Sequence, residues 1–123
     1  MNNQNPIEIY QAQDGTTQVE VRFEKDTVWL SQAQMANVFD TSSDNISLHL
    51  RNIFNESELN ENLTSEDFSV VRQEGKRQVT RKVKHYNLDA IISVGYRVKS
   101  KSATNFRIWA TARLKEYLTQ GYA

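Results

Sequence analysis

Residues 30–54, LSQAQMANVFDTSSDNISLHLRNIF, place two apolar stripes of helical spacing on either side of a polar knot, Asp40-Thr41-Ser42-Ser43-Asp44-Asn45. Met35, Val38 and Phe39 share one helical face, with Ala36 beside them. Ile46, Leu50, Ile53 and Phe54 follow at i, i+4, i+7 and i+8, the stripe of a second helix. Ser31 reads as the N-cap of the first helix, with Gln34 at the capping-box position. Thr41 reads as the cap of the second, and Asp44 favours its positive end. Two helices joined so tightly either read DNA or form a helical hairpin inside a core.

A DNA reader needs a small residue where the second helix crosses the first, and Ala36 supplies it. Ile46, ten residues on, packs back against the first helix. The turn residue, four after the alanine, calls for positive φ, a conformation Asp40 tolerates less well than glycine. With Ile46 inward, the outward positions are Ser42, Ser43, Asp44, Ser47, Leu48 and Arg51, with Asn45 and His49 at the edges. Serine, asparagine and arginine can hydrogen-bond base edges or phosphates, and an outward leucine can meet a thymine methyl. The competing readings are a Leu48 packed on a neighbouring segment and a His49 that is simply a surface residue.

Before this unit, Ile7–Tyr10 and Val19–Phe23 alternate apolar and polar around Asp14-Gly15, a hairpin signal, and Thr27–Leu30 reads as a third strand. After it, Glu56–Asn62 is a polar connector, with a short turn starting at Thr64 or Ser65. Phe68–Arg72 and Gln78–Lys84 read as two strands around a glycine turn. Asn87 caps a helix containing Leu88, Ile91, Ile92 and Gly95, and the glycine there predicts close backbone packing. Ser100–Ser102 reads as a break. A last helix from about Ala103 carries Phe106, Trp109, Ala110, Leu114, Tyr117 and Leu118 on its apolar side and stops at Gly121.

The net charge of zero hides an asymmetry. Residues 1–66 hold eleven acidic side chains against three basic ones, and residues 67–123 hold four against twelve. Within 72–84 lie Arg72, Lys76, Arg77, Arg81, Lys82 and Lys84 with a single acid, Glu74. Six cations in thirteen residues exceed what protecting a sheet edge needs, and a twisted basic ribbon with a glycine tip suits a phosphate backbone or a minor groove. Arg97, Lys99 and Lys101 form a second basic run.

Other classes fall away. There is no cysteine, hence no disulfide and no thiolate metal site, and two histidines without a carboxylate pattern make no metal centre. No glycine-rich phosphate loop and no nucleophile–base set appears, and His85 has no evident partner. No apolar run is long enough to cross a membrane, and MNNQNP lacks the apolar core of a secretory signal, so the expected location is the cytoplasm.

The blocks HYNLDAIISVGYRVKSKSATNFRIWA (85–110) and WLSQAQMANVF with NISLHLRNIF (29–39 and 45–54) resemble the virulence RhuM family of bacterial proteins, a resemblance that runs from about Trp29 to Gly121. Members are described as DNA-binding or virulence-associated, and related N-terminal domains are joined to other modules, Fic-type domains among them. Members are typically longer, so the resemblance implies the N-terminal part of a larger protein. Where relatives carry a basic residue at the start of the second helix, this chain has Ser42-Ser43-Asp44, which shifts weight to the hairpin.

The expectation is therefore an α+β, winged helix-turn-helix domain with an N-terminal β-hairpin and two C-terminal helices over residues 1–123. It divides into an N-terminal hairpin and strand (1–30), a helix-turn-helix (31–55), a basic hairpin wing (67–86) and the C-terminal helices (87–121). Its partner would be double-stranded DNA, in transcriptional regulation or a related DNA transaction, bound through Ser42, Ser43, Asn45, Ser47, Leu48, His49, Arg51, Arg72, Lys76, Arg77, Arg81, Lys82 and Lys84. A homodimer through the C-terminal helix, around Tyr117 and Leu118, would match paired half-sites. No cofactor, metal or catalytic residue is expected. The alternatives are a protein-interaction module and a targeting domain for a C-terminal effector.

Overall fold

The computed structural model describes residues 6–12, 15 and 17–120. The expected turn at Asp14 and stop at Gly121 lie outside the described residues. The fold is α+β: five helices and one five-stranded antiparallel sheet. In chain order the elements are β1 (Ile7–Gln11), β2 (Gln18–Glu24), β3 (Thr27–Ser31), α1 (Gln32–Phe39), α2 (Ser43–Asn55), α3 (Glu61–Thr64), β4 (Ser65–Glu74), β5 (Arg77–Asn87), α4 (Leu88–Val98) and α5 (Lys101–Gln120). The sheet order is β1-β2-β3-β5-β4, so the strand before α1 pairs with the second strand of the hairpin that follows α2.

Alternation decides which face of the sheet is covered. Tyr10, Val19, Val21, Phe23, Val28, Leu30 and Tyr86 point to the helices and are buried. They meet Met35, Val38 and Phe39 of α1, Ile46, Leu50 and Ile53 of α2, Ile91 and Val94 of α4, and Phe106 and Ala110 of α5. α5 seals the β1–β2 end with rings: Tyr10 lies 5.1 Å from both Phe106 and Trp109, and Phe23 lies 5.7 Å from Tyr117. Tyr117 is thus half-buried against the core. Leu118, expected inside, is 40% exposed; at 100° per residue it sits about 100° round from the middle of the buried stripe.

A smaller cluster covers part of the opposite face. Trp29, Phe68 and His85 are buried there, with Phe68 5.3 Å from both other rings and the Arg22 guanidinium 4.7 Å above it. His85, without a visible partner in the sequence, hydrogen-bonds through Nδ1 to the Val83 carbonyl at 2.9 Å.

Several boundaries move. The short helical turn starts at Glu61, because Asn60 Oδ1 accepts from the N–H groups of Asn62 and Leu63. β4 and β5 are longer than their alternation suggested, since their outer residues are exposed on both faces. The break between α4 and α5 shrinks to Lys99 and Ser100. Lys99 closes α4 in the left-handed region (φ 58°), and Ser100 Oγ accepts from the Ala103 N–H. Gly95 does mark a close approach: a Cβ there would stand 3.1 Å from Ala103 Cβ.

Candidate nucleic-acid interface

α1 carries the expected capping box, Ser31 with Gln34. Asp40 takes the left-handed conformation (φ 55°, ψ 52°), and its N–H and that of Thr41 both return to the Ala36 carbonyl. The N-cap of α2 is Ser42 rather than Thr41: Ser42 Oγ accepts from the Asn45 N–H at 3.0 Å. Thr41 instead accepts from Asn45 Nδ2 at 2.9 Å. Gln32 Nε2 donates to Ser43 Oγ (3.1 Å) and to its carbonyl (3.0 Å). Ser42, Ser43 and Asn45 therefore hold the junction together, and Gln32, which the sequence reading passed over, braces it. Its position in the first turn of α1, eleven residues before Ser43, was the available signal.

Further along α2 the outward side chains are as expected. Ser47 and His49 are half-buried, Leu48 is 46% exposed and Arg51 is exposed. A shallow groove lined by Gln32, Ser47, Arg51, Asn55, Glu61 and Tyr86 runs from this side of α2 to the root of the β4–β5 hairpin.

The hairpin is a two-stranded ribbon paired without interruption from Ser65↔Tyr86 to Glu74↔Arg77. Only Asn87, Tyr86 and His85 of β5 pair with β3, so the ribbon beyond them projects from the sheet. Its turn is Gly75-Lys76, with Gly75 at φ 63°. Register sorts the cations. Arg72, Arg77 and Arg81 share the face of Phe68 and His85, whereas Lys82 and Lys84 share that of Tyr86, towards the helices. The six do not form one surface.

Ion pairing sorts them again. Both Arg81 nitrogens Nε and Nη2 donate to Glu74 (3.1 and 2.8 Å), and this contact holds the Glu74 carboxyl below its usual range. Lys84 Nζ reaches Glu61 at 2.9 Å, which raises its pKa. Arg97 leaves the second basic run: it bridges Glu56 and Glu58, 2.8 Å each, and its hydrogen bond lowers the Glu58 carboxyl. Arg113 ties α5 to Glu8 of β1. Among the described residues, the cations with no carboxylate within ion-pair distance are Arg51 on α2, Arg72, Lys76, Arg77 and Lys82 on the ribbon, Lys99, Lys101 and Arg107 around the α4–α5 corner, and Lys115.

Burial pushes the His85 imidazole below its usual pKa. Its bond to Val83 opposes that shift and the nearby Arg22 adds to it. Among the described residues no cluster of histidine and carboxylate side chains could hold a metal ion, and no helix is long and apolar enough to cross a membrane.

Fold and site together define a small α+β domain that projects an exposed, cation-rich ribbon beside the polar side of a short helix pair. The family model for the virulence protein RhuM family matches residues 63–123, and over that stretch the chain belongs to this family. The matched part holds the ribbon, α4 and α5, while α1 and α2 lie outside it. No curated protein and no solved structure gives a significant match.

Proposed function

We propose that this is a winged helix-turn-helix domain that binds double-stranded DNA, with α2 presented to the major groove and the β4–β5 ribbon gripping the adjacent backbone as a wing. The observation that carries the reading is the distribution of unpaired charge. Among the described residues four of the six cations on the ribbon, Arg72, Lys76, Arg77 and Lys82, have no carboxylate partner, and Arg51 of α2, on the same side as the groove to the ribbon's root, joins them. Cations left without partners attract phosphate, and each contact releases condensed counterions. The chain path agrees: strand, helix, left-handed turn, helix, hairpin, with the first strand pairing to the last. Ser47, Leu48 and Arg51 are the side chains of α2 best placed for base edges, because Ser42, Ser43 and Asn45 are engaged at the junction. A homodimer through the outer side of α5, where Ile108 and Leu118 are exposed, would set two such units on paired half-sites.

The test is binding to a random-sequence duplex across a salt series. Several phosphate contacts give a steep linear fall of log affinity with log salt, about 0.9 per contact. Replacing Lys76, Arg77, Arg81 and Lys82 by alanine should weaken binding on every sequence; undiminished affinity removes the ribbon from the interface. The second reading, a protein-docking module, draws on the exposed apolar side chains Leu48 and Val71. A stoichiometric protein partner, captured in a complex free of DNA, would favour it.

A further inference from the structure

A second group of unpaired cations lies away from the ribbon, and it rims a cavity. α4 and α5 meet at Gly95 and Ala103, then part around the left-handed Lys99, leaving a half-open cleft. Its apolar lining comes from the half-buried Ile92 and Ala103, with the fully buried rings of Phe39 and Phe106 beneath, and Tyr96 stands at its side, 70% exposed. Lys99, Lys101 and Arg107 line its edge, none with a carboxylate partner, and no acidic side chain lines the cleft. An apolar, aromatic floor with a few polar groups at its edge is the usual build of a small-molecule site. Here every charged group on the rim is a cation.

We infer that the α4–α5 cleft is a binding site for a small organic anion with an aromatic or apolar body and a carboxylate, sulfonate or phosphate group. The body would lie on Ile92 and Ala103 against Tyr96, and the anionic group would sit among Lys99, Lys101 and Arg107. Charge complementarity selects the ligand's sign, and the apolar floor excludes a fully hydrated inorganic ion as the preferred occupant. The binding of the anion does not rest on the DNA-binding reading.

The test uses the full chain without DNA and two fluorescent probes of the same aromatic body, anilinonaphthalene sulfonate and uncharged phenylnaphthylamine. The sulfonate should bind the folded protein at one site, and the neutral probe more weakly. Lys99→Gln, Lys101→Gln and Arg107→Gln together should weaken the sulfonate about tenfold, three exposed ion contacts of up to about fivefold each, with little effect on the neutral probe. Thr104→Trp, at another exposed lining position, should block both. Equal affinity for the two probes, sulfonate binding indifferent to the triple change, or no binding by a protein with an intact melting transition would each overturn the proposal. So would binding of an acidic peptide in the cleft with no small anion bound. Duplex affinity of the same variants, measured separately, reports on the DNA reading alone.

Discussion

Glu74→Gln offers a gain-of-binding test of how the ribbon works. Glu74 is the one acid between residues 72 and 84, and it holds Arg81 through two hydrogen bonds. Both partners are well exposed, 57% and 43%, so the pair adds little to folding. The ribbon's register rests on backbone ladder bonds, which the change leaves in place. Neutralising residue 74 therefore frees one guanidinium for phosphate without altering the fold. One added phosphate contact steepens the slope of log affinity against log salt by about 0.9. Between about 50 and 200 mM salt that amounts to a factor of roughly 3.5 in how much affinity salt removes. Fluorescence anisotropy on a labelled random duplex, with the melting temperature recorded in parallel, reads both quantities. Arg81→Ala combined with Glu74→Gln should return the slope to the parent value. An unchanged slope in Glu74→Gln, or an equal gain in the double variant, would refute the idea that the pair masks a phosphate contact.

Asp40→Gly should raise stability by about 0.5 kcal/mol in urea denaturation, because relief of left-handed strain outweighs the extra entropy of an unfolded glycine. Gly95→Val should lower stability by about 1–3 kcal/mol in the same assay, since the new Cβ meets Ala103 at 3.1 Å. Acidification should destabilise the fold through His85. Its folded pKa is depressed, so the unfolded chain takes the proton more readily; the stabilisation is complete above about pH 6.5 and is lost as pH falls below it. Melting temperatures at pH 7.5 and 5.5 should differ less in His85→Gln than in the parent. Phe106→Ala, which empties a fully buried site beneath Tyr10 and Phe39, should cost about 3–5 kcal/mol by chemical denaturation.

The helix pair was the most legible part of the chain. Its signals are local: an apolar stripe on each side, a capping box, a small residue and a turn residue at fixed offsets, so Ala36, Asp40 and Ile46 take the places their spacing implied. The ribbon was legible in existence but not in extent. Past Phe68 and Val83 no residue is fully buried, and without a buried face there is no alternation to read. The pairs that decide which cations are free were not legible. Lys84 meets Glu61 across 23 residues and Arg97 meets Glu56 across 41, distances that only the fold closes. The Trp29–Phe68–His85 cluster was hidden for a related reason: it joins β3, β4 and β5 on the face that a simple pattern assigns to solvent.

The ribbon's narrow attachment has a mechanical consequence. Three residues of β5 tie it to β3, and seven further register steps carry it from Asp67↔Lys84 out to Glu74↔Arg77. At about 3.4 Å per step the tip stands roughly 24 Å from its anchorage. On such a lever arm a rotation of about 10° at the base swings Lys76 through roughly 4 Å. Such a rotation changes the distance between the tip and α2 while leaving the ladder intact, and under the proposed DNA-binding role it would let one domain span phosphate spacings that a rigid clamp would fit at only one value.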